Sequence, residues 1–108
     1  MAATHKKLSS GSFATSTGAI ASPGSGKTWL VKTIMLHNTS ATAYWVEVYY
    51  SGTATANRII RVSLAGDETF EYAVGHLLPL DEGASPTQTL QGKAENAAVN
   101  YHIFGAEE

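Results

Sequence analysis

Cysteine is absent from this chain, so neither a disulfide framework nor a thiolate metal site can hold it together. Charge is also scarce. Asp, Glu, Lys and Arg make up 15% of the 108 residues, against a usual ~25%. There is no basic excess: the net charge is −2, and Lys6-Lys7 is the only pair of adjacent cations. That balance lacks the electrostatic footprint of a nucleic-acid binder and offers nothing to an anionic membrane surface. No apolar run approaches the ~20 residues of a membrane helix. Residues 1–12 hold no apolar stretch of signal-peptide length, so the expectation is a soluble protein without an export signal. Sustained helical periodicity is missing as well.

Thr, Ser, Gly and Ala replace the missing charge, while hydrophobic residues stand at 44%. A surface with few charges is poorly protected from association, which points to a chain that works inside an assembly. The length suits one domain, able to bury a core of its own.

Two regimes follow along the chain. Residues 1–26 are small and polar, with only Leu8, Phe13 and Ile20 as large apolar side chains. They read as an N-terminal arm or a loosely held first strand, with a strand near 12–17. Such a segment buries too little apolar area to offset its ordering entropy by itself. It is expected to be dispensable for the fold and needed for attachment to a partner.

From Lys27 onward the chain reads as strands over 28–37, 43–51, 58–64, 68–74, 77–80, 87–94 and 98–105, divided by turn clusters. Seven strands and a weak eighth at this spacing predict a single-domain, all-β antiparallel sandwich of jelly-roll type over 27–108. Val31 or the Thr33-side residues of the strand over 28–37, with Val46, Val48, Ile60, Val62, Phe70, Tyr72, Leu90 and Ile103, form the predicted core. In the strand over 43–51, Tyr44, Val46, Val48 and Tyr50 share one face, while Trp45, Glu47 and Tyr49 share the other. Aromatic residues on an outer face need a cover. Trp45, Glu47 and Tyr49, together with Phe13 and Leu8, are therefore the candidate protein-interface residues.

Ala21-Ser22-Pro23-Gly24-Ser25-Gly26-Lys27-Thr28 matches a relaxed phosphate-loop pattern. That chemistry needs a buried strand before the loop and a helix after it, so that loop N–H groups and the helix terminus hold the phosphates. Neither flank fits here, and the segment reads as a Gly/Pro turn leading into a strand. The histidines His5, His37, His76 and His102 are never two or four residues apart, so no local metal pair exists, although His37 and His102 could meet at strand ends. Most carboxylates fall in turns, and no G-x-S-x-G elbow is present. The sequence therefore predicts no catalytic residue, no metal and no cofactor; the expectation is a protein that is not an enzyme.

The stretch from Gly26 to Gly105 resembles a group of small phage virion proteins. The resemblance rests on Gly26-Lys27-Thr28, Leu36-His37-Asn38-Thr39-Ser40, Ala56-Asn57-Arg58, Leu64-Ala65-Gly66-Asp67-Glu68-Thr69, Leu78-Pro79-Leu80-Asp81-Glu82-Gly83, Leu90, Ala97-Ala98-Val99-Asn100 and Ile103-Phe104-Gly105. Order and spacing carry it more than any single motif. It implies a jelly-roll-like sandwich in a phage particle, with no functional residue carried over. The expected role is a capsid decoration or cement protein on the outer capsid surface, bridging major capsid subunits, itself a dimer or trimer. A tail, collar or head-fibre base component is the alternative. A carbohydrate-binding module stacking sugars on Trp45 and Tyr49 is the alternative of a different class. Nucleic acid and membrane are not expected partners.

Overall fold

The structure, a computed structural model, describes residues 4–85 and 87–108; Met1 to Ala3, Pro86 and the side chains of Thr4 and His76 lie outside what it describes. Eight strands run through the described residues: β1 (Thr4–Ser12), β2 (Gly18–Ala21), β3 (Thr28–Asn38), β4 (Tyr44–Tyr50), β5 (Arg58–Leu64), β6 (Thr69–Asp81), β7 (Leu90–Ala94) and β8 (Val99–Glu107). A 3-10 turn at Thr55–Asn57 precedes β5. The strands form two four-stranded antiparallel sheets, ordered β1-β8-β3-β6 and β2-β7-β4-β5.

That order has a simple origin. β1 pairs with β8, β2 with β7, β3 with β6 and β4 with β5, so the chain is one long hairpin with its tip between β4 and β5. Rolling the hairpin brings β8 against β3 and β7 against β4. The result is a jelly roll, and the expected all-β sandwich is the fold.

Alternation fixes which side of each strand is buried. In β3 the register breaks between Val31 and Thr33, so the expected Thr33 side turns outward and Ile34, Leu36 and Asn38 point inward instead; in β4, Val46 and Val48 do. Val31, Val46, Val48, Ile60, Leu90 and Ile103 of the predicted core are buried, while Val62, Phe70 and Tyr72 pack against it half-buried. Asn38 is fully buried. Its amide donates to the carbonyls of Thr42 (2.7 Å) and Leu64 (3.1 Å), and its Oδ1 accepts from the Ser40 N–H (2.9 Å). One side chain thus ties the β3–β4 turn to the end of β5.

Three further expectations need correction. Residues 68–74 and 77–80 are not two strands but one, β6, which bulges between its residues Ala73 and Leu78, the partners of Thr33 and Val31. The strand placed near 12–17 is instead the link between β1 and β2. Above all, from Thr4 onward the expected arm is built into both sheets, as an edge strand in each. Leu8 is 9% exposed, Phe13 1% and Ile20 5%. Phe13 meets the Tyr101 ring edge-on at 5.0 Å, and its N–H donates to the Val99 carbonyl at 2.9 Å. An edge strand needs only a backbone ladder on one side and a few inward anchors, so a polar segment can fill it. Burying three such side chains contributes roughly 5–9 kcal/mol, as much as the whole net stability of many domains.

Candidate protein-binding face

β4 runs through the interior of the second sheet, between β5 and β7. Its outward residues are Trp45, Glu47 and Tyr49, as alternation predicts. Opposite them on β5 stand Ser63, Arg61 and Arg58; on β7, Lys93 faces Glu47 and Gln91 faces Tyr49.

Strict alternation would turn Arg58 inward with Ile60. The register slips between Val48 and Tyr49, so Ile59 is an extra residue on β5 and Arg58 pairs with Tyr49. A bulge of this kind re-aims a side chain. Here it puts Arg58 on the same face as Arg61.

The consequence is a cluster around one carboxylate. Arg58 Nη1 and Arg61 Nη1 donate to Glu47 Oε2 at 3.0 and 2.9 Å. The Tyr49 hydroxyl donates to Oε1 at 2.9 Å, and Lys93 Nζ lies 3.8 Å from the same oxygen. Burial pushes the Glu47 carboxyl up, but the Tyr49 hydroxyl and the Arg61, Lys93 and Arg58 cations outweigh it and hold the group below the usual carboxylate range. The bond to Glu47, with burial, raises the Tyr49 phenol above its ordinary value. Three cations share one anion, so the cluster keeps a surplus of positive charge. Arg61, with 60% of its side chain exposed, presents that charge to solvent. Trp45 lies half-buried at the edge of the cluster. Its N–H donates to Glu95 Oε1 (3.2 Å) and its carbonyl accepts from the Glu95 N–H (2.9 Å), fixing its strand against the β7–β8 turn.

The expected interface set is thereby divided. Trp45, Glu47 and Tyr49 share the outer face. Glu47 and Tyr49 are each only 5% exposed, however, and act as the floor under the cations rather than as free anchors. Leu8, in β1, and Phe13, in the link after it, are buried in the core and do not reach that face. Arg58, Arg61 and Lys93 were absent from the sequence-based set. Arg61 was within reach, because folding 43–51 against 58–64 as a hairpin places it opposite Glu47. Arg58 depends on the bulge and Lys93 on a strand more than forty residues away, and neither leaves a local signal.

The phosphate-loop look-alike is a turn between β2 and β3; contrary to expectation a short buried strand, with Ile20 and Ala21 inward, does precede it, but a strand and not a helix follows. Gly26 adopts φ +72°, Lys27 N–H donates to the Gly24 carbonyl at 3.0 Å, and strand β3 follows. The Glu82 carboxylate accepts from the Gly26 N–H at 2.8 Å, which places an anion of the chain itself on that amide. His37 Nδ1 lies 2.8 Å from Thr69 Oγ1 and pairs across strands with Asn100, while His102 pairs with Met35 and stacks beside Phe104. Among the described residues no three His, Cys, Asp or Glu side chains come together as a metal site. Turn carboxylates have turn roles: Glu68 accepts from the Ala65 N–H at 2.8 Å and Asp81 from the Gly83 N–H at 2.9 Å.

Fold and face together define the class: an all-β jelly-roll sandwich with a cation-rich outer sheet face. The sequence matches no protein-family model and no curated protein.

Proposed function

We propose that this protein is a structural subunit of a phage particle, a decoration or cement protein that stabilises the head by bridging major capsid subunits. The observation that carries the reading is the Arg58–Arg61–Lys93 array held over Glu47 beside Trp45. Arg and Trp are the commonest anchors of protein interfaces, and cations fixed in advance lose less side-chain entropy on docking. The jelly-roll topology and the sequence resemblance support the same role, since jelly rolls are common in capsid architecture.

The mechanism is mechanical. The surplus positive charge suits an acidic patch on a capsid subunit. One small protein touching two subunits links modest contacts into a strong one, and a homo-oligomer on a symmetry axis multiplies the effect. A tail or fibre-base position would use the same face. The carbohydrate alternative needs exposed rings, and Tyr49 is 5% exposed, which leaves Trp45 alone as a platform.

Co-sedimentation with undecorated particles tests the reading. Wild type should pellet with particles, while Trp45→Ala and Arg61→Glu should each weaken retention by about 1–3 kcal/mol, roughly five- to 150-fold. Added glycans should change nothing. Equal retention of all three proteins, or retention on a glycan surface that Trp45→Ala abolishes, overturns it.

A further inference from the structure

The outer face of the first sheet carries a different feature. β3 and β1 both break register at one level of this sheet: β3 between Val31 and Thr33, β1 between Lys7 and Ser9. In β1 the extra residue is Leu8, which turns into the core; in β3 it is Lys32, which stays exposed. β8 passes between them without a break, and its outward residue at that level is Phe104, opposite Lys7 on one side and Thr33 on the other.

The two breaks open a shallow groove of about 430 Å³, lined by His5, Lys6, Lys7, Lys32, Thr33 and Phe104 with the Gly105 backbone. Gly105 is required there: a Cβ at this position would collide with the Leu30 carbonyl oxygen. Phe104 is 36% exposed, and the His102 ring stacks on it at 6.5 Å with 19° between planes. It is an aromatic floor with a lysine from each neighbouring strand. Lys6 is neutralised by Glu107, at 3.0 Å. Among the described residues Lys7 and Lys32 make no ion pair. The groove is therefore positive in a chain whose net charge is −2.

We infer that this groove is a second docking site, which takes a short acidic segment of a partner protein: an aromatic or aliphatic side chain laid on Phe104, flanked by carboxylates that pair with Lys7 and Lys32. Charge complementarity selects the acidic flanks. The partly exposed ring selects an apolar residue between them. A nucleic acid would need a longer row of cations along its phosphates than two unpaired lysines supply. The groove lies on the opposite side of the sandwich from the Trp45 face, so the two sites together would make one small domain bivalent. In that respect the inference deepens the bridging reading. The groove itself stands on its own geometry and can fail or succeed without particles.

The test is an amide-resolved NMR titration of the full chain with a blocked Glu-Asp-Phe-Glu-Asp peptide and with a Lys-Lys-Phe-Lys-Lys control. The acidic peptide should shift amides of β1, β3 and β8 around Phe104, and its affinity should fall about threefold or more between about 50 and 300 mM salt as screening sets in. Lys7→Glu with Lys32→Glu should weaken it about tenfold or more, and Phe104→Ala about threefold. All three positions are exposed, and Lys7→Ala with Lys32→Ala repeats the test should charge reversal perturb folding. Shifts that map to the Arg61 face, affinity indifferent to both lysine variants, or tighter occupation of the groove by a sulfated saccharide or a single-stranded oligonucleotide would each overturn the proposal.

Discussion

Glu47 sits on the outer side of a sheet and is still 5% exposed. Tyr49, Arg58, Arg61 and Lys93 enclose it, so its charge is desolvated and paired at once. Breaking such a pair leaves an uncompensated charge on the other partners. Glu47→Gln is expected to cost about 2–4 kcal/mol at neutral pH, somewhat below a deeply buried pair because Arg61 remains in contact with water. The folded-state carboxyl is held below its ordinary value of 4.5. A lowered carboxylate contributes stability above its unfolded pKa and loses it as pH falls through the folded one. Urea titrations of wild type and Glu47→Gln should therefore show a wide gap at neutral pH that narrows below 4.5. A gap that stays constant down to about pH 2.5 would mean that charge is not what Glu47 supplies. Asn38 shows the complementary case, a buried neutral group. Its bonds to Thr42, Leu64 and Ser40 satisfy turn backbone that no strand ladder reaches. Asn38, Glu68 and Asn96 all belong to or adjoin the motifs behind the virion resemblance, and all three bond turn N–H groups. Those motifs encode how the sandwich closes at its ends.

At the scale of elements, β1 and β2 matter most. β1 is polar along most of its length, yet it completes the edge of the first sheet through eight paired residues. Its ion pair from Lys6 reaches Glu107, which also accepts from the Trp29 indole at 2.8 Å; these two donors hold the Glu107 carboxyl low and join β1, β8 and β3. β2 is short, but Ile20 and Ala21 both point into the core. A chain starting at Ser22 would lose an edge from each sheet together with Leu8, Phe13 and Ile20. It should not keep a cooperative β-type unfolding transition, because the lost burial, roughly 5–9 kcal/mol, equals a typical net stability. Circular dichroism during thermal melting measures this. A truncated chain that melts cooperatively near the wild-type temperature would restore the view of these residues as a removable arm. Bulges act at the same scale. The one in β5 swings Arg58 onto the Glu47 cluster, and those in β1 and β3 open the groove over Phe104.

The whole molecule is a rolled hairpin, and its two faces are separated by single residue steps. Ile103 is fully buried, and Phe104, the next residue, is 36% exposed on the opposite side of the same sheet. Ile103→Ala should cost about 2–5 kcal/mol in urea unfolding, whereas Phe104→Ala should change stability by no more than about 0.5 kcal/mol. Similar costs at both positions would show that the register of β8 is shifted by one residue.

While the register break in β3 turned the side expected inward from Thr33 onward to the outside, the sequence by itself determined the class of fold, most strand positions and the inward faces of β4, β5 and β8. These follow from local alternation and turn chemistry, which each short segment carries without reference to the rest. It also determined that a strand and not a helix follows the Gly/Pro turn at 22–27, because the β-branched run after Thr28 decides that. Tertiary structure alone decided the fate of residues 4–21, the joining of two expected strands into β6, and both cationic sites. An edge strand is stabilised by a neighbour nearly a hundred residues away, so its own composition does not announce it. The bulges are register shifts against neighbouring strands, and they, not alternation, choose where Arg58, Lys32 and Leu8 point. Glu47 became a buried organiser of three cations for the same reason: its partners arrive from β5 and β7, and only the rolled chain brings them to it.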